Sequence, residues 1–234
     1  MARWAPYSIC SACGTGSWLP PGAGTHWGQH IEPSPEQHAS WSGRHALRET
    51  TIGDGPGRLL DVGCGFGHFV WWALEHGWDA WGTDSDPWAI EASVAPGRTA
   101  QDPGELEGSF DVITLWDVLE HTTRPIDLAA SLRPRLHASG RLFVCSPNFA
   151  AMKLRWPLVR QSARRFNELV RPTEHVVQFT ERGMTLTLER AGYEKVDVLR
   201  PPLASRSNRL LDAIVRRWPS LRKGLFVNAY APSV

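Results

Sequence analysis

Short apolar runs alternate with segments of helical periodicity over most of the chain. The predicted strands are residues 58–64, 79–83, 110–116, 141–145, 194–199 and 225–231, and any strand within residues 96–109 is short. The predicted helices are residues 35–50, 66–76, 87–94, 125–136, 180–191 and 207–218. Strands that alternate with helices indicate an α/β fold with a parallel, doubly wound, Rossmann-like sheet.

Two regions depart from this alternation. Residues 1–34 are rich in Gly, Pro, Ser and His without periodicity, so they are predicted to form an irregular N-terminal attachment. Residues 148–178 are rich in Lys and Arg and follow the predicted strand 141–145, so we interpret them as a basic, helical lid insertion. The α/β domain itself is predicted to span residues 35–234.

The two halves of the chain carry opposite charge. Residues 1–150 hold 9 Lys/Arg and 17 Asp/Glu, whereas residues 151–234 hold 16 and 7. A basic region of this kind indicates an anionic substrate, a membrane surface or nucleic acid, or simply a solvated arginine-rich surface. The chain has no apolar run long enough for a transmembrane segment and no secretory signal at its N-terminus, so we expect a cytoplasmic protein with reduced cysteines.

A glycine-rich turn joins the predicted strand 58–64 to the helix that follows. Gly63, Gly65 and Gly67 allow a sharp turn and let a ligand approach the backbone, close to the unpaired N–H groups of the helix. A dinucleotide fingerprint needs a third glycine where this chain has His68. The turn therefore predicts a ligand other than a dinucleotide.

Two acidic residues flank this turn in the predicted sheet. Asp61 lies two residues before the first glycine, where a carboxylate suits an ammonium group better than a pyrophosphate. Asp84 follows the second strand, where an acid accepts hydrogen bonds from ribose hydroxyls. An amino acid joined to a ribose describes S-adenosyl-L-methionine, which is the predicted cofactor.

The motifs and their order resemble those of class I methyltransferases, and most of all the branch of the ubiquinone-biosynthesis O-methyltransferases. The resemblance covers about residues 40–200 and implies a mostly parallel seven-stranded sheet whose last strand is antiparallel. It also implies an adenine-contacting acid, for which Asp102 is the nearest candidate. The matching segments are LLDVGCGFGHF, GTDSDPWAIEA, FDVITLWDVLEH, GRLFVCSPN and EHVVQFT. The implied cofactor contacts are Asp61, Gly63, Gly65, Gly67, Asp84, Trp116 and Asp117.

The segment after the fourth strand bears on the methyl acceptor. Methyltransferases that act on amino groups or DNA bases carry an Asn/Asp-Pro-Pro-aromatic run there, whereas this chain has Asp117-Val-Leu-Glu120-His121. This difference favours oxygen, or another non-amide acceptor, over a nucleobase amine, so nucleic acid is not the expected substrate. His121 is the candidate general base because imidazole titrates near neutral pH, although it could instead orient the loop.

A divalent metal is an alternative use of the same residues. Some relatives carry Glu-x-x-Glu-His and hold a metal with those side chains, and this chain has Asp117, Glu120 and His121 at that spacing, with His175 further on. Two acids and two imidazoles could bind Mg²⁺ or Zn²⁺. The general-base and metal hypotheses both stay open on the sequence.

The N-terminal segment contains a second group of metal-ligand residues. Cys10-x-x-Cys13 followed by His26-x-x-x-His30 has zinc-ligand spacing. The intervening Pro20-Pro21-Gly22 argues against a zinc-finger helix. The pair could instead be a remnant zinc ribbon or carry no metal.

These observations predict an O-methyltransferase that acts on a small-molecule or lipid-linked acceptor, with residues 148–178 as the lid. Peripheral membrane contact through the amphipathic segment 207–218 is a further hypothesis. A different class of function also remains: a non-catalytic binding module that contacts nucleic acid or a protein partner through its basic C-terminal half. The sequence does not identify the acceptor, because acceptor pockets are built from insertions that carry few motifs.

Overall fold

A computed structural model describes residues 2–4, 7–18, 51–159, 171, 174–200 and 224–232. The predicted helices 35–50 and 207–218 lie outside the described residues, as does much of the predicted lid. The described strands are β1 (Ala2–Trp4), β2 (Tyr7–Ile9), β3 (Gly16–Ser17), β4 (Arg58–Val62), β5 (Asp79–Thr83), β6 (Thr99–Ala100), β7 (Phe110–Trp116), β8 (Leu136–Pro147), β9 (Val177–Gln178), β10 (Lys195–Val198) and β11 (Gly224–Tyr230).

Within the described residues, seven of these strands form one sheet in the order β10-β11-β8-β7-β4-β5-β6. β4 to β8 pair in parallel, whereas β11 runs antiparallel to both β8 and β10. This confirms the Rossmann-like α/β fold and the antiparallel last strand. The parallel strands place their C-terminal ends at one edge, which is where such folds bind ligands.

The helices of the described chain are α1 (His68–Glu75), α2 (Pro87–Glu91), α3 (Pro125–Leu132), α4 (Phe149–Val159) and α5 (Glu181–Arg190). Asp86 caps α2 by accepting a hydrogen bond from the backbone N–H of Trp88, and Thr180 caps α5 by accepting one from Gly183. The helix predicted over residues 125–136 ends at Leu132 and continues as the 3-10 turn Arg133–Arg135, since Pro134 has no N–H to donate. None of these described helices combines the length and apolar character needed to cross a membrane.

Apolar side chains are buried on both faces of the large sheet. Leu59, Val112 and Phe143 pack with α1 on one face, and their neighbours Leu60, Ile113 and Val144 pack with α5 on the other. Burial on both faces explains why these strands appear in the sequence as continuous apolar runs. β8 begins five residues before the predicted strand, and its pairing with β7 shifts register between Phe110 and Val112.

The N-terminal residues form a second sheet, so the prediction of an irregular attachment is wrong for their described part. β1, β2, β3 and β9 pair in that order, and each pairing is antiparallel. The backbone N–H of Trp18 also donates to the Val176 carbonyl at 2.9 Å. Strands of two or three residues are too short for periodicity, and β9 lies far away in the sequence. The attachment is therefore joined to the α/β domain by backbone hydrogen bonds.

Tyr7 fixes this small sheet to the segment before β9. Its side chain is fully buried, its hydroxyl donates to the His175 carbonyl at 2.7 Å, and it accepts from Gln178 Nε2 at 3.1 Å. Burial raises the pKa of Tyr7 to about 12, so the hydroxyl stays protonated and able to donate.

We expect Tyr7→Phe to lower the free energy of unfolding by about 1–2 kcal/mol, because it removes a buried donor from a carbonyl. Denaturant unfolding measures this loss. Tyr193→Phe is the matched control: its buried hydroxyl donates to the Ala129 carbonyl at 3.0 Å in the main core. A comparable loss in both variants is expected, and an unchanged unfolding free energy in Tyr7→Phe would contradict the role given to Tyr7.

Candidate active site

The glycine-rich turn between β4 and α1 is held at the C-terminal end of β5. The backbone N–H groups of Gly63 and Cys64 both donate to the Thr83 carbonyl, at 2.7 and 3.0 Å. Gly63 has a φ of 77°, and a Cβ at this position would lie 2.6 Å from Val118 Cγ2. Both the backbone conformation and the close approach of Val118 therefore exclude a side chain here.

Gly65 marks the open side of the turn. Its φ is 52°, and a Cβ built on it would meet no described heavy atom within 4 Å. Gly67 then precedes α1 with a φ of 74°, and no side chain caps the first turn of that helix. Bare backbone beside uncapped N–H groups is suited to a ligand that lies directly against the chain.

The carboxylates of Asp61 and Asp84 lie on either side of this turn. Asp61 is 2% exposed and accepts a hydrogen bond from Thr114 Oγ1 at 2.7 Å. Asp84 accepts from the backbone N–H groups of Gly65 at 2.8 Å and Asp86 at 3.0 Å. Burial, together with the charges of Asp61 and Asp84, raises the pKa of the Cys64 thiol, so both carboxylates act on the same part of the turn.

Trp116 ends β7 and Asp117 follows it, and the two residues lie in different environments. The Trp116 ring is buried and packs against Phe69 and Phe143, with ring centroids 5.3 and 4.7 Å away. Asp117 has a φ of 54°, which is uncommon for a residue other than glycine, and its Oδ1 lies 3.9 Å from Cys145 Sγ. The cofactor contact of Trp116 stays a prediction.

Asp102, the candidate adenine contact, has a local structural role. It is exposed and caps the 3-10 turn Pro103–Glu105 by accepting from the backbone N–H of Gly104 at 2.6 Å. Glu105 Oε1 accepts in return from the Asp102 N–H, at 2.9 Å. The adenine contact stays a prediction.

Glu120, His121 and His175 form one cluster beside the turn, and we call it the acid–histidine cluster. One side-chain oxygen or nitrogen from each residue lies within 4.8 Å of the other two. His121 Nε2 is 4.0 Å from Glu120 Oε1, and the two imidazole rings are 4.6 Å apart between centroids. The structure therefore brings together residues that are 54 positions apart in the sequence.

The cluster is buried and lacks several expected hydrogen bonds. Glu120 is 1% exposed and His175 is 6% exposed. Within the described residues, four buried atoms make no hydrogen bond of normal geometry. They are both side-chain oxygens of Glu120, Nδ1 of His175 and Oγ of Ser146. Buried polar groups are rarely left unpaired, so these atoms indicate a ligand, an ion or water at this point.

Burial sets the protonation of all three side chains. It lowers the pKa of His121, and it lowers that of His175 to about 3 with help from the neighbouring His121 and Arg171. Burial and the charge of Asp117 raise the pKa of Glu120 to about 8, although the Ser146 hydroxyl opposes this rise. Near neutral pH, with nothing bound, the cluster holds two neutral imidazoles and a protonated carboxyl group.

The Glu174 carbonyl orients His121. His121 Nδ1 lies 2.9 Å from that oxygen, so the neutral ring carries its hydrogen on Nδ1 and its basic lone pair on Nε2. This assignment follows from the carbonyl, which can only accept. The arrangement suits a group that removes a proton through Nε2.

The raised pKa of Glu120 predicts that Glu120→Gln stabilises the metal-free protein at alkaline pH. A carboxyl whose pKa is raised in the folded state contributes stability below its ordinary pKa of 4.5 and loses it as the pH rises through about 8. At pH 9 the variant should therefore unfold at a temperature higher by about 5 °C, corresponding to roughly 2 kcal/mol. Thermal unfolding in the presence of a chelator measures this difference.

At pH 5 the gain should be much smaller, because Glu120 is then protonated in the fold. Glu91→Gln, on the exposed end of α2, is the matched control and should show no gain at either pH. The lowered pKa of His175 works in the opposite direction and costs stability as the pH falls below 6.5, in the parent and in both variants. Equal stability of Glu120→Gln and the parent at pH 9 would contradict a raised pKa.

A hollow of about 320 Å³ lies where the N-terminal sheet meets the segments that carry the cluster. In its wall, Val176 directly follows His175 and Thr123 lies two residues after His121. No local pattern predicts the N-terminal residues of this wall, because their placement depends on the β3–β9 pairing. The hollow is lined by Ser8, Ser17, Trp18, Thr123, Val176 and Val177.

The structure places the two predicted groups of metal-ligand residues separately. Cys10 and Cys13 lie in the turn between β2 and β3, whereas the acid–histidine cluster lies after β7 and before β9. Residues His26 and His30 lie outside the described part of the chain.

Comparison with known proteins gives one consistent result. A family model described as a methyltransferase domain matches residues 36–198, which include the glycine turn, both flanking acids and the acid–histidine cluster. The mitochondrial ubiquinone biosynthesis O-methyltransferase of Schizosaccharomyces pombe is 37% identical over 36% of this chain and 36% of its own length. The ubiquinone biosynthesis O-methyltransferase of Acinetobacter baumannii (strain AYE) is 24% identical over 68% of this chain and 77% of its own.

Among solved structures, a SAM dependent methyltransferase from Archaeoglobus fulgidus shares the fold. Its TM-score is 0.55 at 16% identity, and the match covers 82% of this chain and 93% of that protein. The similarity at this level of identity concerns the fold alone.

Proposed function

Because the chain belongs to the class I S-adenosylmethionine-dependent methyltransferases, we propose that it methylates an oxygen atom of a small-molecule or lipid-linked acceptor. One observation carries the proposal: Val118 lies directly against Gly63, so the loop that bears Glu120 and His121 starts at the glycine turn. A base and an acid are therefore next to the proposed cofactor site. The O-methyltransferase relatives support oxygen as the acceptor atom.

The residues around the turn fit S-adenosylmethionine. Asp61 offers a buried carboxylate to the ammonium group, and the open side of Gly65 offers room at the backbone. Each oxygen of Asp84 accepts one backbone N–H, which leaves lone pairs for the ribose hydroxyls. When bound, S-adenosylmethionine supplies a methyl group on a positively charged sulfur, which leaves as a neutral thioether without an acid.

The acid–histidine cluster acts on the acceptor in this proposal. His121 takes the proton of the acceptor hydroxyl at Nε2, while the Glu174 carbonyl holds Nδ1–H and keeps the ring oriented. Burial lowers the pKa of His121, so the ring is neutral and ready to accept a proton near neutral pH. Alignment of the hydroxyl with the methyl group contributes the rest of the rate.

A divalent cation is a second use of this cluster, and the unpaired atoms favour it. Glu120 offers two buried oxygens and His175 offers Nδ1, with His121 beside them. These donors fit Mg²⁺, Mn²⁺ or Zn²⁺, and such a cation would lower the pKa of an acceptor hydroxyl. Glu120, His121 and His175 would hold it.

The test has a binding step and a transfer step. We expect calorimetry to show micromolar binding of S-adenosylmethionine, and no binding at millimolar concentration would overturn the proposal. The protein is then incubated with radiolabelled S-adenosylmethionine and with polar and lipid extracts, with and without a chelator. The labelled product should carry its methyl group on oxygen, as shown by mass spectrometry.

The alternative functions predict different results. Methyl groups found only on nitrogen would contradict the acceptor assignment. Cofactor binding without any transfer, together with tight and salt-sensitive binding to nucleic acid, would instead support a non-catalytic binding module. The membrane contact of residues 207–218 stays a prediction, to be tested by vesicle co-sedimentation.

A further inference from the structure

We propose that Cys10 and Cys13 form half of a structural zinc site in the turn between β2 and β3. The two thiols are not oxidised to a disulfide in the structure, and both side chains are partly accessible. This site is separate from the proposed methyl-transfer site, so it stands or falls independently of the proposed function.

The backbone of the turn closes tightly around the cysteine pair. The Cys10 N–H donates to the Thr15 carbonyl and the Gly14 N–H donates to the Cys10 carbonyl, both at 2.9 Å. Gly14 has a φ of 73°, in the left-handed region that favours glycine. Together these contacts fold Cys-x-x-Cys-Gly into a tight hairpin turn.

The Cys10 sulfur lies against the backbone of its own turn. It accepts hydrogen bonds from the backbone N–H groups of Cys13 and Ala12 and faces the Cys13 thiol. Zinc binds thiolates, and backbone donors stabilise the charge that two thiolates bring to the metal.

The turn is also fixed to the α/β domain. Thr180 Oγ1, which caps α5, donates to the Cys13 carbonyl at 2.5 Å. A zinc ion bound here would restrain the β2–β3 hairpin, whose Tyr7 holds the backbone of His175. The site would therefore stabilise the N-terminal sheet beside the acid–histidine cluster.

Two sulfur ligands leave two positions of a tetrahedral zinc site to be filled. They come either from elsewhere in this chain or from the same cysteine pair of a second copy. The metal-to-protein ratio separates these sources: one zinc per chain indicates the first, and one zinc per two chains indicates the second. Either ratio supports the proposal, provided that the metal is bound through sulfur.

Cobalt(II) spectroscopy of the full chain tests the proposal. Co²⁺ added to reduced, metal-free protein should give a thiolate-to-metal absorption band and tetrahedral d–d bands, and Zn²⁺ should remove both. The bands should vanish in the Cys10→Ser/Cys13→Ser variant and persist in Cys64→Ser, whose thiol is buried in the domain. Sulfur-based bands distinguish this site from metal bound by the oxygen and nitrogen donors of the acid–histidine cluster.

Thiol reactivity gives a second measurement that needs no variant. In the metal-free native protein, two of the four thiols should react quickly with a disulfide reagent, and Zn²⁺ should slow them on the order of tenfold or more. A parent protein without thiolate-to-cobalt bands, bands that persist in the double variant, or rapid thiol reaction despite Zn²⁺ would each overturn the proposal. So would purification of the native protein with a Cys10–Cys13 disulfide.

Discussion

Asp61→Asn is expected to weaken the binding of S-adenosylmethionine by about 10- to 150-fold while leaving the fold intact. In the proposed complex the Asp61 carboxylate is the partner of the cofactor's ammonium group, and a hydrogen bond to a charged group contributes about 1.5–3 kcal/mol. Asparagine has the same shape and keeps an oxygen to accept from Thr114 Oγ1, so the loss is mainly that of charge. Calorimetric titration measures the change in affinity.

Asp79→Asn is the matched control for this prediction. Asp79 starts β5, at the opposite end of the sheet from the turn, and forms exposed ion pairs with Arg58 and Arg98. Exposed pairs contribute little, so this variant should bind the cofactor as the parent does. If Asp61→Asn bound S-adenosylmethionine with the affinity of the parent, the proposed ammonium contact would be wrong.

The part of the fold that the sequence predicts best is the part whose pattern is local. Leu59 and Leu60 point to opposite faces of the sheet and are both buried, so the apolar run is unbroken. Helix starts were also predictable from local signals such as Pro87 after Asp86. The exact ends of the strands were not predictable, since they depend on tertiary features such as the register shift in the pairing of β7 with β8.

The N-terminal sheet could not be predicted for the opposite reason. β3 has two residues, and its partner β9 has two, so neither carries a period that distinguishes it from a loop. Their pairing depends on the tertiary contacts of Tyr7 and Trp18 with the segment before β9. Contacts of this kind are formed between distant residues and leave no local mark in the sequence.

In the candidate site too, some features follow from local sequence patterns and others depend on contacts between distant residues. The glycine turn and its two acids form a local motif, and the spacing of Glu120 and His121 is local as well. The position of His175 against His121 is not, because the N-terminal sheet helps to place it through the Tyr7 hydroxyl. Asp102 has a capping role that its sequence position did not predict, and its adenine contact stays a prediction.

In the proposed function, the N-terminal sheet contributes part of the wall of the acceptor site. Ser17 and Trp18 line the hollow together with Val176 and Val177, to which they are joined by the β3–β9 pairing and a backbone hydrogen bond. Since the hollow adjoins His121 and His175 in the chain, differences in residues 7–18 would alter the acceptor rather than the cofactor. Acceptor choice in this proposal is therefore set by the N-terminal segment together with the lid.

His121→Ala is expected to lower the rate of methyl transfer by about 10²- to 10⁴-fold while the affinity for S-adenosylmethionine stays within about twofold of the parent. The imidazole removes the proton from the acceptor hydroxyl in this proposal, whereas the proposed cofactor contacts are made by other residues, Asp61 and Asp84 among them. Single-turnover kinetics with the labelled cofactor, over a range of pH, measures the loss. In the parent, the rate should fall as the pH drops below the lowered pKa of His121, since only the neutral ring accepts a proton.

The His121→Ala variant should lose this fall in rate at acidic pH, and the exposed His137→Ala variant should keep the pH profile of the parent.

A comparison with His175→Ala and a chelator then separates the two uses of the cluster. If His121 acts as the base alone, the chelator has no effect and His175→Ala loses less activity than His121→Ala. If the cluster holds a cation, both variants and the chelator abolish transfer alike, because each removes the same ion. Full activity of His121→Ala would contradict both, since His121 Nε2 is 4.0 Å from Glu120 Oε1 and belongs to the cluster in either case.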